Sequence, residues 1–154
     1  PIRRYPDLQI HRIIKEQLRG RLQGERVEHY KAILPEVAKH SSQTERRAEE
    51  AERETDKLKK AEYMEAHLGE VFEGVVSGIT AWGIYVELPN TVEGLVHVAK
   101  LPGDYYYYRE ETYEMVGEST GRTYKLGMKV KVAAVATDKL TRTIDFVIVE
   151  EEEE

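Results

Sequence analysis

Aromatic and charged residues suited to binding a polynucleotide recur in the second half of this 154-residue sequence. Trp82 and Tyr85 offer flat rings, and His97 offers an aromatic ring with two nitrogens. Asp138 and Arg142 stand four positions apart, and a guanidinium group suits a phosphate. A base stacked on an aromatic side chain contributes about 1–3 kcal/mol, whatever the base. We therefore predict that these five residues bind single-stranded nucleic acid.

Each of these residues also has a structural alternative. Simple strand alternation would place Trp82 in the core together with Ile84. The interior Gly83 instead favours a bulge, which would move Trp82 to the side of Tyr85. His97 could be a hydrogen-bonded polar residue, and the acidic and basic pair could close a turn. The alternative requires all five residues to have purely structural roles at once. We therefore favour the interpretation that they form a surface that binds nucleic acid.

Strand-like alternation in the second half indicates the elements that position these residues. A small closed barrel of five strands, an OB-type barrel, is the expected architecture. A long insert from Pro102 to Gly127 separates the third strand from the fourth. The predicted strands are Val71–Val76, Trp82–Leu88, Gly94–Val98, Lys129–Val132 and Thr143–Ile148.

The first 67 residues show helical rather than strand periodicity. Apolar residues recur at helical spacing between Leu8 and Leu22. Pro35 is placed to open a second, short helix. Ser42 and Glu45 match a capping box, which predicts the start of a long charged helix that ends near Ala66.

These patterns predict an α+β chain with three parts. Residues 1–67 form a helical segment, residues 68–149 form the barrel, and residues 150–154 form a solvated acidic tail. Residues 1–67 hold 15 Lys/Arg against 13 Asp/Glu, whereas residues 68–154 hold 8 against 16. The acidic second part predicts that binding depends on stacking more than on phosphate neutralisation.

The run Tyr105–Tyr108 has two open interpretations. Phenol rings combine apolar area with a polar tip, so the run could extend the stacking surface beside the barrel. It could equally pack the long insert onto the barrel.

The barrel sequence resembles the S1 RNA-binding domain family. The resemblance implies single-stranded RNA as the partner, and it carries the RNA-contacting positions onto Trp82, Tyr85, His97, Asp138 and Arg142. Phe72 and Lys100 become flanking contacts. Trp82 stands where the family usually has Phe, which retains stacking. The matching segments are Gly69-x-Val71-Phe72-x-Gly74-x-Val76, Trp82-Gly83-Ile84-Tyr85-Val86, Glu93-Gly94-Leu95-Val96-His97 and Asp138-x-x-x-Arg142.

The beginning of the chain resembles another family. The segment Pro1–Leu8, followed by His11 and Arg12, is similar to the closing motif of the catalytic domain in the ribonuclease II/ribonuclease R family. The insert between the third and fourth strands is more like that of ribonuclease R. The resemblance implies that the chain is a carboxy-terminal fragment, and that the longer protein hydrolyses RNA from its 3′ end to mononucleotides. Arg3 matches the family's active-site arginine.

The same resemblance implies Mg²⁺ for the longer protein, held by aspartates that this chain lacks. We therefore expect the fragment to bind no metal, to be inactive alone, and to have the missing amino-terminal part of the same polypeptide as a partner. Glu45, Glu49 and Glu52 share one helix face, but a solvated acidic face is the favoured interpretation. Absent cysteines and the lack of any long apolar run favour a cytoplasmic location without membrane association.

Two alternative functions remain open. The chain could be a stand-alone S1 module of a translation or transcription factor with a helical spacer. The long charged helix could also mediate oligomers, although it lacks a sustained heptad repeat. The amino-terminal motif favours the nuclease fragment.

Overall fold

In a computed structural model that describes residues 4–150, the chain consists of two helices followed by eight strands. The helices are α1 (Tyr5–Leu18) and α2 (Glu25–Glu65). The strands are β1 (Val71–Thr80), β2 (Gly83–Glu87), β3 (Glu93–His97), β4 (Tyr106–Arg109), β5 (Glu114–Gly117), β6 (Thr123–Tyr124), β7 (Lys129–Asp138) and β8 (Thr143–Ile148). A short 3-10 helix, Val98–Lys100, follows β3.

Five of the strands close into a barrel, in the order β1-β2-β3-β8-β7. All neighbours are antiparallel except β3 and β8, which are parallel. The predicted α+β architecture with a five-stranded OB-type barrel is therefore confirmed. Alternate side chains point inward, so that Ile84 and Val86 of β2 are fully buried beside Phe146 of β8.

The barrel core extends to the end of α2. Ala61 and Met64 are fully buried and belong to the same apolar cluster as the barrel residues. The chain divides into two compact units, and the division falls after Arg53. The predicted boundary between the helical segment and the barrel, after residue 67, falls within the second of these units.

The first unit contains α1 and the first part of α2. Arg26 contacts Glu16 with two hydrogen bonds, Nε to Oε2 at 2.8 Å and Nη2 to Oε1 at 2.6 Å. The guanidinium also lies 5.1 Å from the centre of the Tyr30 ring. The hydrogen bond from Arg26 lowers the pKa of Glu16 to about 2. This ion pair fixes the turn between the two helices.

The prediction of separate helices beginning at Pro35 and Ser42 is wrong. α2 continues from Glu25 to Glu65, with Pro35 inside it. A capping box needs unpaired amides at a helix start, and inside a continuous helix those amides bond to carbonyls one turn earlier. Thr44 instead donates its hydroxyl to the carbonyl of His40 at 3.0 Å, as hydroxyl residues do within helices.

The insert between β3 and β7 forms a second sheet that the sequence analysis did not predict. Its order is β4-β5-β6, and all pairs are antiparallel. Met115 and Tyr124 from this sheet are fully buried in the same core cluster as the barrel. Within residues 4–150, no helix is both long enough and apolar enough to cross a membrane.

Candidate nucleic-acid interface

Trp82 and Tyr85 contact each other on the outer side of the barrel. Trp82 lies in the turn between β1 and β2 and is 55% exposed, while Tyr85 is half-buried in β2. The indole Nε1 of Trp82 donates a hydrogen bond to the Tyr85 hydroxyl at 3.1 Å. Tyr85 pairs with Gly78 of β1, and a Cβ added at Gly78 would make ordinary van der Waals contact with the Tyr85 side chain, at 3.5 Å or more. The hydrogen bond therefore ties the two side chains together while the indole stays exposed.

The reason given by the sequence analysis for the outward position of Trp82 is wrong. The bulge lies in β1, between Val76 and Gly78, and not at Gly83. Trp82 leaves the strand altogether, because the β1–β2 hairpin turns at Ala81 and Trp82.

Gly83 brings β3 close to the hairpin turn. It pairs with His97, and a Cβ at this position would lie only 2.2 Å from the carbonyl oxygen of Val96. The carbonyl of Trp82 also accepts a hydrogen bond from the Val98 amide at 2.8 Å. These backbone contacts place His97 beside the Trp82–Tyr85 pair.

The exposed imidazole of His97 is oriented by the turn that follows β3. Its Nδ1 accepts a hydrogen bond from the amide of Ala99 at 3.2 Å. When the ring is neutral, that contact leaves the proton on Nε2, which can donate to a ligand. His97 thus supplies both an aromatic face and a donor.

Lys100 adds a positive charge at the same end of the barrel. Its Nζ lies 3.9 Å from the carboxylate of Asp145 in β8. Asp145 pairs with Leu95 of β3, and Leu95 pairs with Tyr85 of β2. One row across the outer face therefore joins Lys100 to the aromatic pair.

Asp138 and Arg142 are each paired with other groups in the structure. The Asp138 carboxylate accepts hydrogen bonds from the amides of Leu140 and Thr141, at 2.7 and 3.3 Å, and closes the β7–β8 turn. The Leu140 amide is the main reason that the pKa of Asp138 lies below its ordinary value. Arg142 contacts Glu54 of α2 instead of Asp138. Since β8 runs parallel to β3, this turn lies toward the start of β3, away from His97.

Phe72 lies on the inward-facing side of β1. It pairs with the buried Val132 of β7, and its ring is packed against the barrel core. Its ring and that of His67 are nearly perpendicular, with 6.5 Å between the ring centres. Arg3, the remaining predicted site residue, lies outside the described residues.

The tyrosine run is divided between the core and the surface. Tyr106 and Tyr108 point inward and pack against the core, whereas Tyr105 and Tyr107 are exposed. Tyr124 of β6 is fully buried, and burial is the main reason that its pKa is raised. The sequence signal that could have indicated this second sheet is the run of four tyrosines, a residue type common in strands, which the turn-favouring Gly103 and Asp104 precede.

An open groove of about 1180 Å³ lies elsewhere on the barrel, beside β1 and β7. None of the predicted site residues lines this groove. Its charged lining is mixed, with Arg122, Lys129 and Lys131 facing Glu73 and Glu87. Among the described residues, no group of three or more histidine or acidic side chains could hold a metal ion.

Residues 65–148 match the sequence model of a protein family described as "S1 RNA binding domain". The chain belongs to the S1 RNA-binding domain family. The matched range starts in the last turn of α2 and ends with β8, so this S1 domain includes both sheets.

The S1 domain and the helices before it are also similar to ribonuclease R sequences. Ribonuclease R 1 of Lactococcus lactis is 47% identical over 146 residues, which are 95% of this chain and 18% of that protein. Ribonuclease R of Thermotoga maritima is 46% identical over 157 residues, which are 100% of this chain and 22% of that protein. The predicted resemblance to ribonuclease R is confirmed. The chain spans about a fifth of the length of these relatives.

A solved structure supports the same fold over nearly the whole chain. The apo form of Mycoplasma genitalium ribonuclease R matches with a TM-score of 0.87 and 22% identity, covering 94% of this chain and 23% of that one. The same enzyme has also been solved in complex with ribose-methylated single-stranded RNA, with the same similarity to this chain.

Proposed function

We propose that this S1 domain binds single-stranded RNA through Trp82, Tyr85, His97 and Lys100. The observation that carries this function is the hydrogen bond between the Trp82 indole and the Tyr85 hydroxyl. This bond holds two aromatic rings on the outer face of the barrel, and neither ring belongs to the hydrophobic core. Two rings in a fixed orientation can stack bases with little loss of side-chain entropy.

A single strand fits this surface better than a duplex does. In a duplex the base faces are stacked on one another, so aromatic side chains cannot reach them. The chain carries a net charge of −6, which weakens general attraction to phosphates. Single-stranded RNA is also the ligand of the Mycoplasma genitalium enzyme that shares this fold.

We further propose that the longer protein to which this chain belongs is a 3′-to-5′ exoribonuclease of the cytoplasm. Its relatives are ribonuclease R proteins, of which this chain spans about a fifth. Hydrolysis of a phosphodiester by Mg²⁺ needs carboxylate ligands that hold the ion and its attacking water. Since residues 4–150 contain no such cluster, the metal would bind in another part of that protein. Arg3 would contribute to that site, and the S1 domain would capture and guide the strand.

Titration with fluorescently labelled RNA tests single-strand binding. The wild-type chain should bind a single strand more tightly than a duplex of the same sequence. The double variant Trp82→Ala/Tyr85→Ala should bind at least about 30-fold more weakly, since each lost stacking contact is worth at least about 1 kcal/mol. Leu140→Ala is the matched control, because Leu140 is 90% exposed in the β7–β8 turn and outside the surface.

Two results would contradict this function. One is equal affinity of the folded double variant and the wild type, with folding checked by circular dichroism. The other is tighter binding of the duplex than of the single strand. Adding Mg²⁺ to the same samples tests the placement of the metal, because the chain alone should leave the RNA intact.

A further inference from the structure

The run Tyr105–Tyr108, which leads into β4 and forms most of it, presents two tyrosines to solvent because the other two are held inward. The Tyr106 hydroxyl donates to the Pro102 carbonyl at 2.9 Å, and its ring centre lies 5.5 Å from that of Tyr124. Tyr108 packs against the barrel core. Strand alternation then leaves Tyr105 84% exposed and Tyr107 48% exposed. Neither exposed ring contributes to the core.

A guanidinium group lies beside the exposed rings. Arg109 has the same strand parity as Tyr107, and its Nη2 donates to the Tyr107 hydroxyl at 3.3 Å. Its Nη1 lies 4.0 Å from the carboxylate of Glu114, the residue opposite it in β5. Tyr105, Tyr107 and Arg109 therefore form a row of two phenol rings and one cation, which we name the β4 strip.

The β4 strip is positioned by backbone contacts on both sides. The Asp104 carboxylate accepts hydrogen bonds from the amides of Tyr105, Ser119 and Thr120, at 2.7, 2.9 and 2.7 Å. The Tyr105 carbonyl accepts another from the Glu118 amide at 2.8 Å. These hydrogen bonds anchor the backbone of Tyr105, while Tyr107 and Arg109 lie within the sheet, so the rings would lose little freedom on binding.

The position of β4 relates the strip to the proposed RNA surface. β4 packs against the 3-10 helix Val98–Lys100, which begins directly after His97. That short helix ends with Lys100, whose ammonium group belongs to the same surface. A strand of RNA leaving His97 along this helix would next meet β4.

We propose that the β4 strip is a second base-stacking site, which lengthens the single-stranded RNA footprint of the S1 domain. This inference rests on the proposed RNA binding and adds residues that the family resemblance does not assign. Rings with a guanidinium beside them suit nucleobases, because every base has a π-face and Arg adds a cation contact. The nearby Glu110 and Glu111 are exposed carboxylates, which favour binding through bases rather than phosphates.

Affinity as a function of RNA length separates the two sites. A strand of about four nucleotides fills the Trp82–Tyr85 surface, whereas one of about twelve reaches a neighbouring site. The wild-type chain should bind the longer strand more tightly. Tyr105→Ala/Tyr107→Ala should lose at least about fivefold in affinity for the longer strand and keep its affinity for the shorter one. Tyr107→Phe should retain the affinity, because the ring remains.

Tyr63→Ala is the matched control, because Tyr63 is a tyrosine with the same 48% exposure at the end of α2. It should bind both RNAs like the wild type. Unchanged affinity of the Tyr105/Tyr107 double variant for the longer strand would overturn the β4 strip. The β4 strip would also be overturned if that variant lost concentration-dependent self-association while its RNA affinity stayed the same. The strip would then bind a second copy of the chain instead of RNA. Failure of the wild type to bind the shorter strand would instead overturn the proposed function.

Discussion

Arg142 in the β7–β8 turn donates a hydrogen bond to the carboxylate of Glu54 in α2. Lys139 of the same turn contacts Glu65 of α2 at 2.6 Å. Both cations that this turn could offer to a phosphate are therefore paired with carboxylates of the preceding helix. An incoming phosphate must compete with Glu54 for Arg142.

Removing the Glu54 charge should strengthen RNA binding. In Glu54→Gln the Arg142 guanidinium becomes available to a phosphate, so affinity should rise. The dependence of log K on log salt should steepen by about 0.7, the value for one added phosphate contact on a single strand. Glu36→Gln changes the net charge equally on an exposed part of α2 and should leave the slope unchanged. Equal slopes for Glu54→Gln and the wild type would show that Arg142 takes no phosphate.

Adding a methyl group at Gly83 should destabilise the barrel. The new Cβ would lie 2.2 Å from the Val96 carbonyl oxygen, so β2 and β3 would have to separate. We expect Gly83→Ala to lower the free energy of unfolding by at least about 2 kcal/mol, as measured by urea denaturation. Gly103→Ala controls for backbone strain, because Gly103 also has a positive φ but no atom within 4 Å of the added Cβ. A similar loss in both variants would mean that the close approach at Gly83 is unimportant.

Asp104 should make the stability of the S1 domain sensitive to acid. Hydrogen bonds, above all from the Thr120 amide, lower its pKa from 3.8 to about 2. A carboxylate with a lowered pKa stabilises the folded state above its ordinary pKa, and that contribution is lost as the pH falls toward about 2. Asp104→Asn should therefore be less stable than the wild type at neutral pH, and the difference should shrink below pH about 3.

Urea denaturation at several pH values measures this difference. Glu118→Gln is the control, since it removes an exposed carboxylate from the same loop. A constant difference between Asp104→Asn and the wild type at all pH values would contradict the assigned role of the Asp104 charge.

The buried Tyr124 and the half-buried Tyr106 should respond differently to loss of their hydroxyl groups. The Tyr124 hydroxyl is buried, and within the described residues no group is placed to form a well-oriented hydrogen bond with it. The nearest ring is that of Tyr106, whose centre lies 5.5 Å from the Tyr124 ring centre. Tyr124→Phe should therefore leave the free energy of unfolding unchanged or raise it. Tyr106→Phe removes the bond to the Pro102 carbonyl and should lower it by about 0.5–1.5 kcal/mol. Thermal unfolding of both variants distinguishes them, and a larger loss in Tyr124→Phe would reveal a partner for its hydroxyl.

The strands that carry the candidate site could be predicted because their side chains alternate with a clear period. Thr143–Ile148 was predicted with the bounds that the structure shows. The short range of this signal also explains its failures. Pro35 and the Ser42–Glu45 motif both resemble helix starts locally, yet neighbouring turns complete one helix through them.

By itself, the sequence determined the barrel, the outward Tyr85 and the resemblance to S1 domains, since period and motif spacing are local properties of the chain. Only the tertiary structure decided which predicted residues meet. Strand register joined Trp82, Tyr85 and His97, turned Phe72 toward the core and placed Arg142 against Glu54. Register and helix packing depend on residues distant in the chain, whose contacts no local pattern of residue types specifies.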